Sequence, residues 1–357
     1  MINIIKQFDF EGTLQSYKPT GNGHINDTFL VDCGTHKYVT QRINHHIFTK
    51  PLALMENVAL VTAHIRDVVA QQGGDVEREV LQIIKTKEGN SLTQDNDGYY
   101  WRSYQFIDDA MSLDLVENPD DFYESGYAFG NFQAQLADFP VASLNFTIDD
   151  FHNTPVRFKA FSDSVSRDAA GRVESVKKDI DFFIEREAFM SSLWDLHEQG
   201  LLPLKVTHND TKLNNVMLDN KTGKGICVVD LDTVMPGFSV DDFGDAIRFG
   251  ASTALEDEKD LDKVSFDLNL YDVFTKGFIK GGAGTFTDIE LDNFAVGAKM
   301  MALECGMRFL TDYLNGDTYF KTAYDDHNLV RARTQMKLVA DMESNWDAMN
   351  AIVGKYK

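Results

Sequence analysis

The chain has 357 residues, of which 43% are hydrophobic, and it carries a formal net charge of -22 at pH 7. This length exceeds what one hydrophobic core usually serves, so two lobes are expected. The excess of acidic residues argues against a nucleic-acid partner, because nucleic-acid phosphates bind to surfaces rich in Lys and Arg. Cys33, Cys227 and Cys305 lie far apart, so neither a disulfide framework nor a zinc site is predicted.

The N-terminal sequence MINIIKQFDFEG lacks the basic segment, apolar stretch and cleavage site of a secretory signal. Elsewhere, no apolar run approaches the roughly 20 residues needed to span a bilayer. We therefore expect a cytoplasmic protein that does not associate with membranes.

The first hundred or so residues are predicted to form a small β-rich lobe. Residues 28–31 and 37–43 are rich in β-branched and aromatic residues and flank a short turn, which predicts a hairpin. Apolar residues spaced three and four apart predict a helix over 52–70. Two further strands are predicted over 80–84 and 99–107.

From residue 120 onward the pattern is dominated by helices. They are predicted over 120–138, 180–198 and 293–315, and a last helix has apolar residues at the same spacing: Val339, Met342, Trp346, Met349 and Val353. Strands followed by helices indicate an α+β fold with two unequal lobes. We place the lobes at residues 1–108 and 109–357.

The segment VTHNDTKLNNVMLD contains a His-x-Asp-x-x-x-x-Asn motif. His208, Asp210 and Asn215 stand at the offsets of a kinase catalytic loop, in which the Asp accepts the proton of the substrate hydroxyl and the Asn binds metal. We therefore predict that Asp210 is the catalytic base. For His208 we predict a structural role in holding the loop.

A predicted strand over 225–229 follows this loop and ends at Asp230. A carboxylate in that place is where a kinase holds Mg²⁺, a cation that prefers oxygen ligands. Asp232 shares the same strand face and is a further candidate ligand. A single acidic residue in a loop is mostly just solvated. Here, however, the His, Asp and Asn of the loop and the Asp at the strand end follow one another in the order of a kinase site, so we predict that Asn215, Asp230 and Asp232 bind Mg²⁺.

The tripeptide Asp242-Phe243-Gly244 spells the metal-binding sequence of protein kinases. It follows the strand that has already supplied Asp230, so we do not assign it to the metal. We predict instead that Asp242 braces the catalytic loop and that Asp245 caps or pairs locally.

The segment PTGNGHIN forms a Gly-x-Gly-x-x-Asn turn ahead of residues 28–31. Glycines let backbone N–H groups approach phosphate oxygens, but a dinucleotide site requires a helix directly after the turn. A strand follows here, which favours a kinase-type phosphate loop over a dehydrogenase, with an ordinary hairpin turn as the remaining alternative. The candidate nucleotide-binding residues are Gly21, Gly23, His24, Asn26 and Gln41.

Protein kinases place a Lys on the third strand, where it pairs with the nucleotide phosphates and a helix Glu. This chain has Gln41 and Arg42 at the corresponding strand. Gln41 can only hydrogen-bond a phosphate, whereas Arg42 carries charge but points to the opposite face. The choice between Gln41 and Arg42 stays open. It also stays open whether Glu56 is the helix residue that pairs with this strand position or a solvated surface residue.

His208, Asp210, Asn215 and Asp230 together resemble the aminoglycoside phosphotransferase, choline kinase and homoserine kinase class, which has a protein-kinase-like fold. A closer resemblance covers almost the whole chain. The segments that carry it are similar to N-acetylhexosamine 1-kinases: THNDTKLNNVMLD, VDLDTVMPGFSVDDFGDAIRFGASTALEDEKDL, LECGMRFLTDYLNGDTYF and HNLVRARTQMKLV.

This resemblance implies transfer of the ATP γ-phosphoryl group to the C1 hydroxyl of N-acetylglucosamine or N-acetylgalactosamine by a monomeric enzyme. It implies that Asp210 is the base and that Asn215 and Asp230 hold Mg²⁺. It further implies sugar contacts from Asp210, Thr233, Arg308 and Tyr319. An alternative for Arg308 is a helix-surface or ion-pair residue. The sequence does not decide between the two sugars.

Two other functions stay open on the sequence. One is the same fold acting on a different alcohol, such as an aminoglycoside, choline or homoserine. The other is an inactive kinase-like protein that only binds its ligands, although the intact set of Asp210, Asn215 and Asp230 argues against it.

Overall fold

The structure, a computed structural model, describes residues 1–21 and 25–357. Its chain folds into two compact units, each assembled from several stretches. The first unit comprises Met1–Ser112, Asp138–Asp149 and Asn215–Pro236, and the second comprises Leu113–Ala137, Asp150–Asn214 and Gly237–Lys357. A sheet-rich N-terminal region and a larger helical C-terminal part confirm the predicted α+β, protein-kinase-like fold class. The lobe boundary between residues 108 and 109 stays a prediction.

The elements of the described residues are as follows, in chain order. The strands are β1 (Ser16–Pro19), β2 (Asp27–Asp32), β3 (Lys37–Arg42), β4 (Ile83–Ile84), β5 (Thr93–Gln94), β6 (Tyr100–Gln105), β7 (Ala110–Met111), β8 (Lys205–Thr207), β9 (Val216–Asp219), β10 (Gly225–Val228) and β11 (Met235–Gly237). The α-helices are α1 (Ile2–Ile5), α2 (Pro51–Gln71), α3 (Val76–Glu79), α4 (Pro119–Gln135), α5 (Thr154–Arg167), α6 (Lys177–Ile184), α7 (Glu187–Met190), α8 (Ser192–Glu198), α9 (Ser239–Gly250), α10 (Leu268–Gly281), α11 (Asp288–Asp292), α12 (Phe294–Leu314), α13 (His327–Ser344) and α14 (Trp346–Tyr356).

The first unit contains a six-stranded antiparallel sheet in the order β1-β2-β3-β6-β4, with β5 also paired to β6. The pairing of β2 with β3 confirms the predicted hairpin. The strand predicted over 80–84 is shorter in the structure, because only Ile83 and Ile84 pair with β6. Helix α2 confirms the predicted helix and buries Val58, Val61 and Ile65.

A second, three-stranded sheet of the first unit has the order β10-β9-β7. Strand β10 pairs antiparallel with β9 and confirms the strand predicted ahead of Asp230. Asp230 itself has a left-handed backbone with a φ of 58°. The chain therefore turns sharply at the end of this hairpin, where the metal ligands are predicted.

The second unit is helical, and glycines allow its helices to pack closely. Gly126 and Gly130 of α4 face backbone atoms of α10, and Gly277 and Gly281 of α10 face backbone atoms of α4. A side chain at any of these positions would overlap the partner backbone. Helix α12 packs against α5, α9 and α13, so the helix that carries Arg308 lies within this helical unit.

Two helices predicted as continuous are interrupted. Residues 180–198 form α6, α7 and α8 rather than one helix. At the first break, the Arg186 guanidinium donates to the Phe182 carbonyl at 2.8 Å, and the backbone N–H of Arg186 donates to Phe183 instead. The last predicted helix divides at Asn345 into α13 and α14. The Asn345 side chain donates to the Asp341 carbonyl at 2.8 Å and caps the earlier helix.

Among the described residues, no helix combines the length and apolarity needed to cross a membrane.

Candidate active site

Asp242 on α9 holds the backbone of the catalytic loop. The Asp242 carboxylate accepts backbone hydrogen bonds from His208 at 2.9 Å and from Asn209 at 2.7 Å, and Gln133 of α4 donates to it at 2.8 Å. Asn209 has a left-handed backbone with a φ of 63°, which places a sharp turn directly before Asp210. These contacts confirm the bracing role predicted for Asp242.

His208 is fully buried, and its ring packs against Phe129 and Phe132. The backbone N–H of Asp210 donates to Nδ1 of His208 at 3.3 Å. An imidazole enclosed in this way holds the loop by packing and hydrogen bonds. The structural role predicted for His208 agrees with these contacts.

The Asp210 side chain is 29% exposed, and its Oδ1 lies 2.7 Å from Nζ of Lys212. Burial alone would lower the pKa of Lys212, but the Asp210 carboxylate, with Asp245 further away, raises it. Lys212 therefore keeps its positive charge beside the candidate base. Asp245 accepts from the Thr211 backbone at 3.1 Å and pairs with Arg248 at 3.0 Å, which confirms its predicted local pairing.

In the first unit, the structure brings Asn215 and Asp230 together at the end of the β9–β10 hairpin. The carbonyl oxygen of Asn215 accepts from the backbone N–H of Val229 at 2.9 Å, immediately before Asp230. Asp230 is exposed, whereas Asn215 is buried. An amide oxygen and an accessible carboxylate are hard oxygen donors of the kind that Mg²⁺ prefers, so the chemistry of the donors fits the ion.

Three His, Cys, Asp or Glu side chains are not found gathered into a metal-binding group anywhere in residues 1–21 and 25–357. The candidate Mg²⁺ ligands at the hairpin are of another kind, because they combine the amide of Asn215 with carboxylates. It fits a metal ion that also takes ligands from nucleotide phosphates and water.

Asp232 differs from Asp230 in being buried. The Asp232 carboxylate forms an ion pair with Arg102, and Nδ2 of Asn26 donates to it at 2.7 Å. The side-chain oxygen of Asn26 in turn accepts from the Asn44 backbone at 3.0 Å. Two residues predicted from separate motifs, Asn26 and Asp232, are thus in direct contact.

Arg102 is a buried cation of the first unit, with 1% of its surface exposed. Burial alone would lower the pKa of Arg102, but Asp232, and more weakly Asp230, raise it, so the guanidinium stays charged. Its Nε donates to the side-chain oxygen of Gln41 at 3.0 Å. Gln41 of β3 is therefore hydrogen-bonded to an arginine of the neighbouring strand β6.

The other nucleotide-binding candidates are only partly described. Gly21 has a left-handed backbone with a φ of 80° between the antiparallel strands β1 and β2, so a strand does follow the turn. Gly23 and His24 lie outside the described residues. Gln41 donates to the Thr28 hydroxyl at 3.1 Å, Arg42 pairs with Asp27, and Glu56 accepts from Asn145 at 2.9 Å.

The predicted sugar contacts fall in both units. Thr233 is buried, in the turn after Asp230 in the first unit. Arg308 and Tyr319 belong to the second unit and both contact Phe320. The Arg308 guanidinium lies 5.8 Å from the Phe320 ring centre, and the Tyr319 ring is 66% exposed.

His152 connects the catalytic loop to α12. One ring nitrogen lies 2.9 Å from the Glu304 carboxylate and the other lies 3.3 Å from the carbonyl of Asn209. Burial alone would lower the pKa of His152, but Glu304, with Asp241 and Asp245 further away, raises it to about 9. A doubly protonated ring donates both hydrogen bonds at neutral pH.

Comparison with known proteins agrees with this geometry. The model of the family described as "Phosphotransferase enzyme family" matches residues 16–268. The chain belongs to the phosphotransferase enzyme family. The matched residues include Asp210, Asn215 and Asp230 but end before Arg308 and Tyr319, whose roles therefore depend on the sugar-kinase resemblance alone.

Solved structures share the fold of this phosphotransferase over nearly the whole chain. A microcompartment-associated aminopropanol kinase has a TM-score of 0.64 at 14% identity, with 98% of this chain and 97% of that chain covered. An aminoglycoside phosphotransferase from Alicyclobacillus acidocaldarius has a TM-score of 0.66 at 10% identity, covering 99% and 96%. Choline kinase from Cryptosporidium parvum has a TM-score of 0.57 at 14% identity, covering 98% and 94%.

Three residues of this phosphotransferase site were missed by sequence reasoning. Lys212 lies in the catalytic loop itself, two residues after the candidate base, so its role could have been predicted from the sequence. Arg102 and His152 gave no such signal, because their partners are distant in sequence and depend on strand register and helix packing.

Proposed function

We propose that this phosphotransferase transfers the γ-phosphoryl group of ATP to the C1 hydroxyl of an N-acetylhexosamine, giving the sugar 1-phosphate and ADP. The observation that carries the proposal is the catalytic loop. It presents Asp210 half-buried, beside Lys212, on a turn held by Asp242. The long segments that resemble N-acetylhexosamine 1-kinases support the choice of sugar.

In the proposed reaction Asp210 accepts a hydrogen bond from the C1 hydroxyl and orients its oxygen toward the γ-phosphorus. As the new P–O bond forms, the bond from the γ-phosphorus to the β,γ-bridging oxygen breaks, ADP leaves, and the hydroxyl proton passes to Asp210. Phosphoryl transfer has a loose transition state, so positioning and charge neutralisation contribute most of the rate. Lys212 holds the base in place and contributes positive charge.

Asn215 and Asp230 would hold Mg²⁺, with Asp232 as a further ligand. The ion, when bound, would neutralise charge on the nucleotide phosphates. We assign Gly21, Gly23, His24, Asn26 and Gln41 to nucleotide binding, in an N-terminal lobe of residues 1–108. The sugar would contact Asp210, Thr233, Arg308 and Tyr319, which all belong to a C-terminal lobe of residues 109–357.

A second candidate is phosphorylation of another alcohol. Proteins of the same fold are named as aminopropanol, choline and ethanolamine kinases and as aminoglycoside phosphotransferases, which favours this alternative over an inactive binding protein. The site chemistry proposed for Asp210 is the same for any hydroxyl. Only the acceptor would differ.

The test is a panel of acceptors with ATP and Mg²⁺, followed by phosphorus NMR of the product. The panel contains both N-acetylhexosamines, glucose, galactose, choline, homoserine and kanamycin. We expect a sugar 1-phosphate from at least one N-acetylhexosamine. Turnover of another alcohol alone would replace the sugar assignment, and no turnover of any acceptor would favour the binding-protein alternative.

A further inference from the structure

Two neighbouring arginines of the second unit, Arg157 on α5 and Arg308 on α12, lack carboxylate partners. Neither guanidinium lies within 4.0 Å of an Asp or Glu oxygen in the part of the chain that the structure describes. Every other arginine except Arg167 does form such a pair. In a chain with a net charge of -22, two adjacent unpaired arginines require an explanation.

Both arginines contact Phe151. Nη2 of Arg157 donates to the Phe151 carbonyl at 3.3 Å, and the Arg308 guanidinium lies 5.8 Å from the centre of the Phe151 ring. The two charges are close enough to interact, because burial and then the positive charge of Arg308 lower the pKa of Arg157. The like charges are thus held together by the fold rather than separated.

Nε of Arg157 is buried and has no hydrogen-bond partner among the described atoms. A buried polar group without a partner is uncommon and costs free energy, so it requires an explanation, such as a water or an ion that binds there. Glu304 on α12 interacts electrostatically with both arginines, but in the described part of the chain it forms no ion pair with either within 4.0 Å. Its two oxygens are taken by His152 at 2.9 Å and by Thr154 at 2.6 Å.

The pair lies close along the fold to the catalytic loop. Phe151, which both arginines contact, directly precedes His152, and His152 hydrogen-bonds the carbonyl of Asn209 next to Asp210. Tyr319, a predicted sugar contact, is near enough to interact electrostatically with Arg157. These residues all belong to the second unit.

We propose that Arg157 and Arg308 together form a donor pair that binds acceptor oxygens of the substrate and rejects cationic substrates. A guanidinium carries only N–H donors and a permanent charge, so its ligand must present carbonyl, hydroxyl or carboxylate oxygens. An ammonium or quaternary amine would meet two positive charges there. The pair therefore selects an uncharged or anionic polyhydroxylated acceptor, and Arg157 becomes a specificity-determining residue.

This inference rests on the proposed kinase function and narrows its substrate class. It favours an N-acetylated sugar over the protonated amino sugar, and over choline or an amino alcohol. Carbonyl and hydroxyl oxygens of the N-acetyl sugar accept hydrogen bonds, whereas the ammonium group of glucosamine only donates them.

The experiment compares Arg157→Gln and Arg157→Lys with the wild-type protein. Arg167→Gln is the matched control, because Arg167 is exposed at the end of the same helix. Initial rates are measured with N-acetylglucosamine and with glucosamine at pH 6, together with KM for ATP. Binding of each sugar in the absence of ATP is measured by calorimetry.

We expect Arg157→Gln to reduce the preference for N-acetylglucosamine over glucosamine by roughly tenfold or more, because one of the two repelling charges is removed. Arg157→Lys should retain the rejection of glucosamine but bind N-acetylglucosamine more weakly, since the planar fork is lost. KM for ATP should stay unchanged in both variants. Arg167→Gln should behave as wild type.

An unchanged charge preference in a folded, active Arg157→Gln protein would overturn the inference. So would a wild-type protein that phosphorylates choline or glucosamine better than any uncharged acceptor, although the kinase activity would then stand. A different result would show that the proposed function is wrong. Arg157-dependent binding of N-acetylglucosamine without any phosphorylation would support the donor pair and remove the kinase assignment.

Discussion

Lys212 lies with its Nζ 2.7 Å from Oδ1 of Asp210, so the candidate base of this phosphotransferase is ion-paired within its own loop. This ion pair limits rotation of the Asp210 carboxylate. The loop backbone is also fixed by Asp242, so the orientation of Asp210 depends on an ion pair within the loop and on contacts with helix α9.

Lys212→Met is expected to lower kcat by roughly 10²-fold, because a positioned charge near the transferred phosphoryl group is removed. KM for the sugar should change little. Lys212→Arg should recover part of the rate, and Lys221→Met, at a lysine whose side chain is 80% exposed, should have no effect. Steady-state kinetics of the four proteins check this, and a normal kcat in Lys212→Met would contradict it.

Asp230→Asn is expected to raise the Mg²⁺ concentration needed for half-maximal activity much more than Asp232→Asn. Asp230 is exposed, whereas the Asp232 carboxylate is buried and already bound by Arg102 and Asn26. Asp232→Asn should instead lower thermal stability, since breaking a buried ion pair costs about 3–5 kcal/mol. Magnesium titrations and melting curves of both variants provide the comparison, and the reverse order would assign the main ligand to Asp232.

Stability should fall between pH 7 and pH 10 through loss of the His152 proton. The folded-state pKa of about 9 lies above the ordinary value of 6.5, so the contribution is complete below about pH 6.5 and disappears as pH rises through 9. One pKa unit corresponds to about 1.4 kcal/mol, which predicts a loss of about 2–3 kcal/mol across this interval.

His152→Gln should lose less stability than wild type over the same pH range, as urea unfolding at pH 7 and pH 10 would show. Burial also raises the pKa of Asp241 to about 8, which acts in the same direction. Asp241→Asn is therefore the control that separates the two groups. Equal pH dependence in wild type and His152→Gln would show that His152 is not protonated in the folded protein.

Local patterns predicted much of the fold because they act over short distances. The β2–β3 hairpin follows from β-branched residues around a turn, and α2 follows from its apolar face. The catalytic loop could be located because its spacing is nearly fixed by the chemistry. The bracing role of Asp242 was also predictable, because the predicted metal ligand, Asp230, had already been found at the end of the preceding strand.

Contacts between distant segments could not be predicted in the same way. The pairing of Arg102 with Asp232 depends on which residue of β6 lies opposite Gln41, and register is a tertiary property. The break at Arg186 was missed because the competing donor is a side chain anchored by Glu343 at 2.8 Å on α13. Hydrophobic periodicity alone predicts neither contact.

The central claim is best tested by the rate of N-acetylhexosamine 1-phosphate formation from ATP, measured side by side for wild type and Asp210→Asn. Loss of a positioned base should reduce this rate by roughly 10²–10⁴-fold while circular dichroism and melting temperature stay unchanged. Phosphorus NMR identifies C1 as the phosphorylated position. A folded Asp210→Asn protein with a nearly normal rate, or a wild-type product phosphorylated elsewhere, would contradict the account.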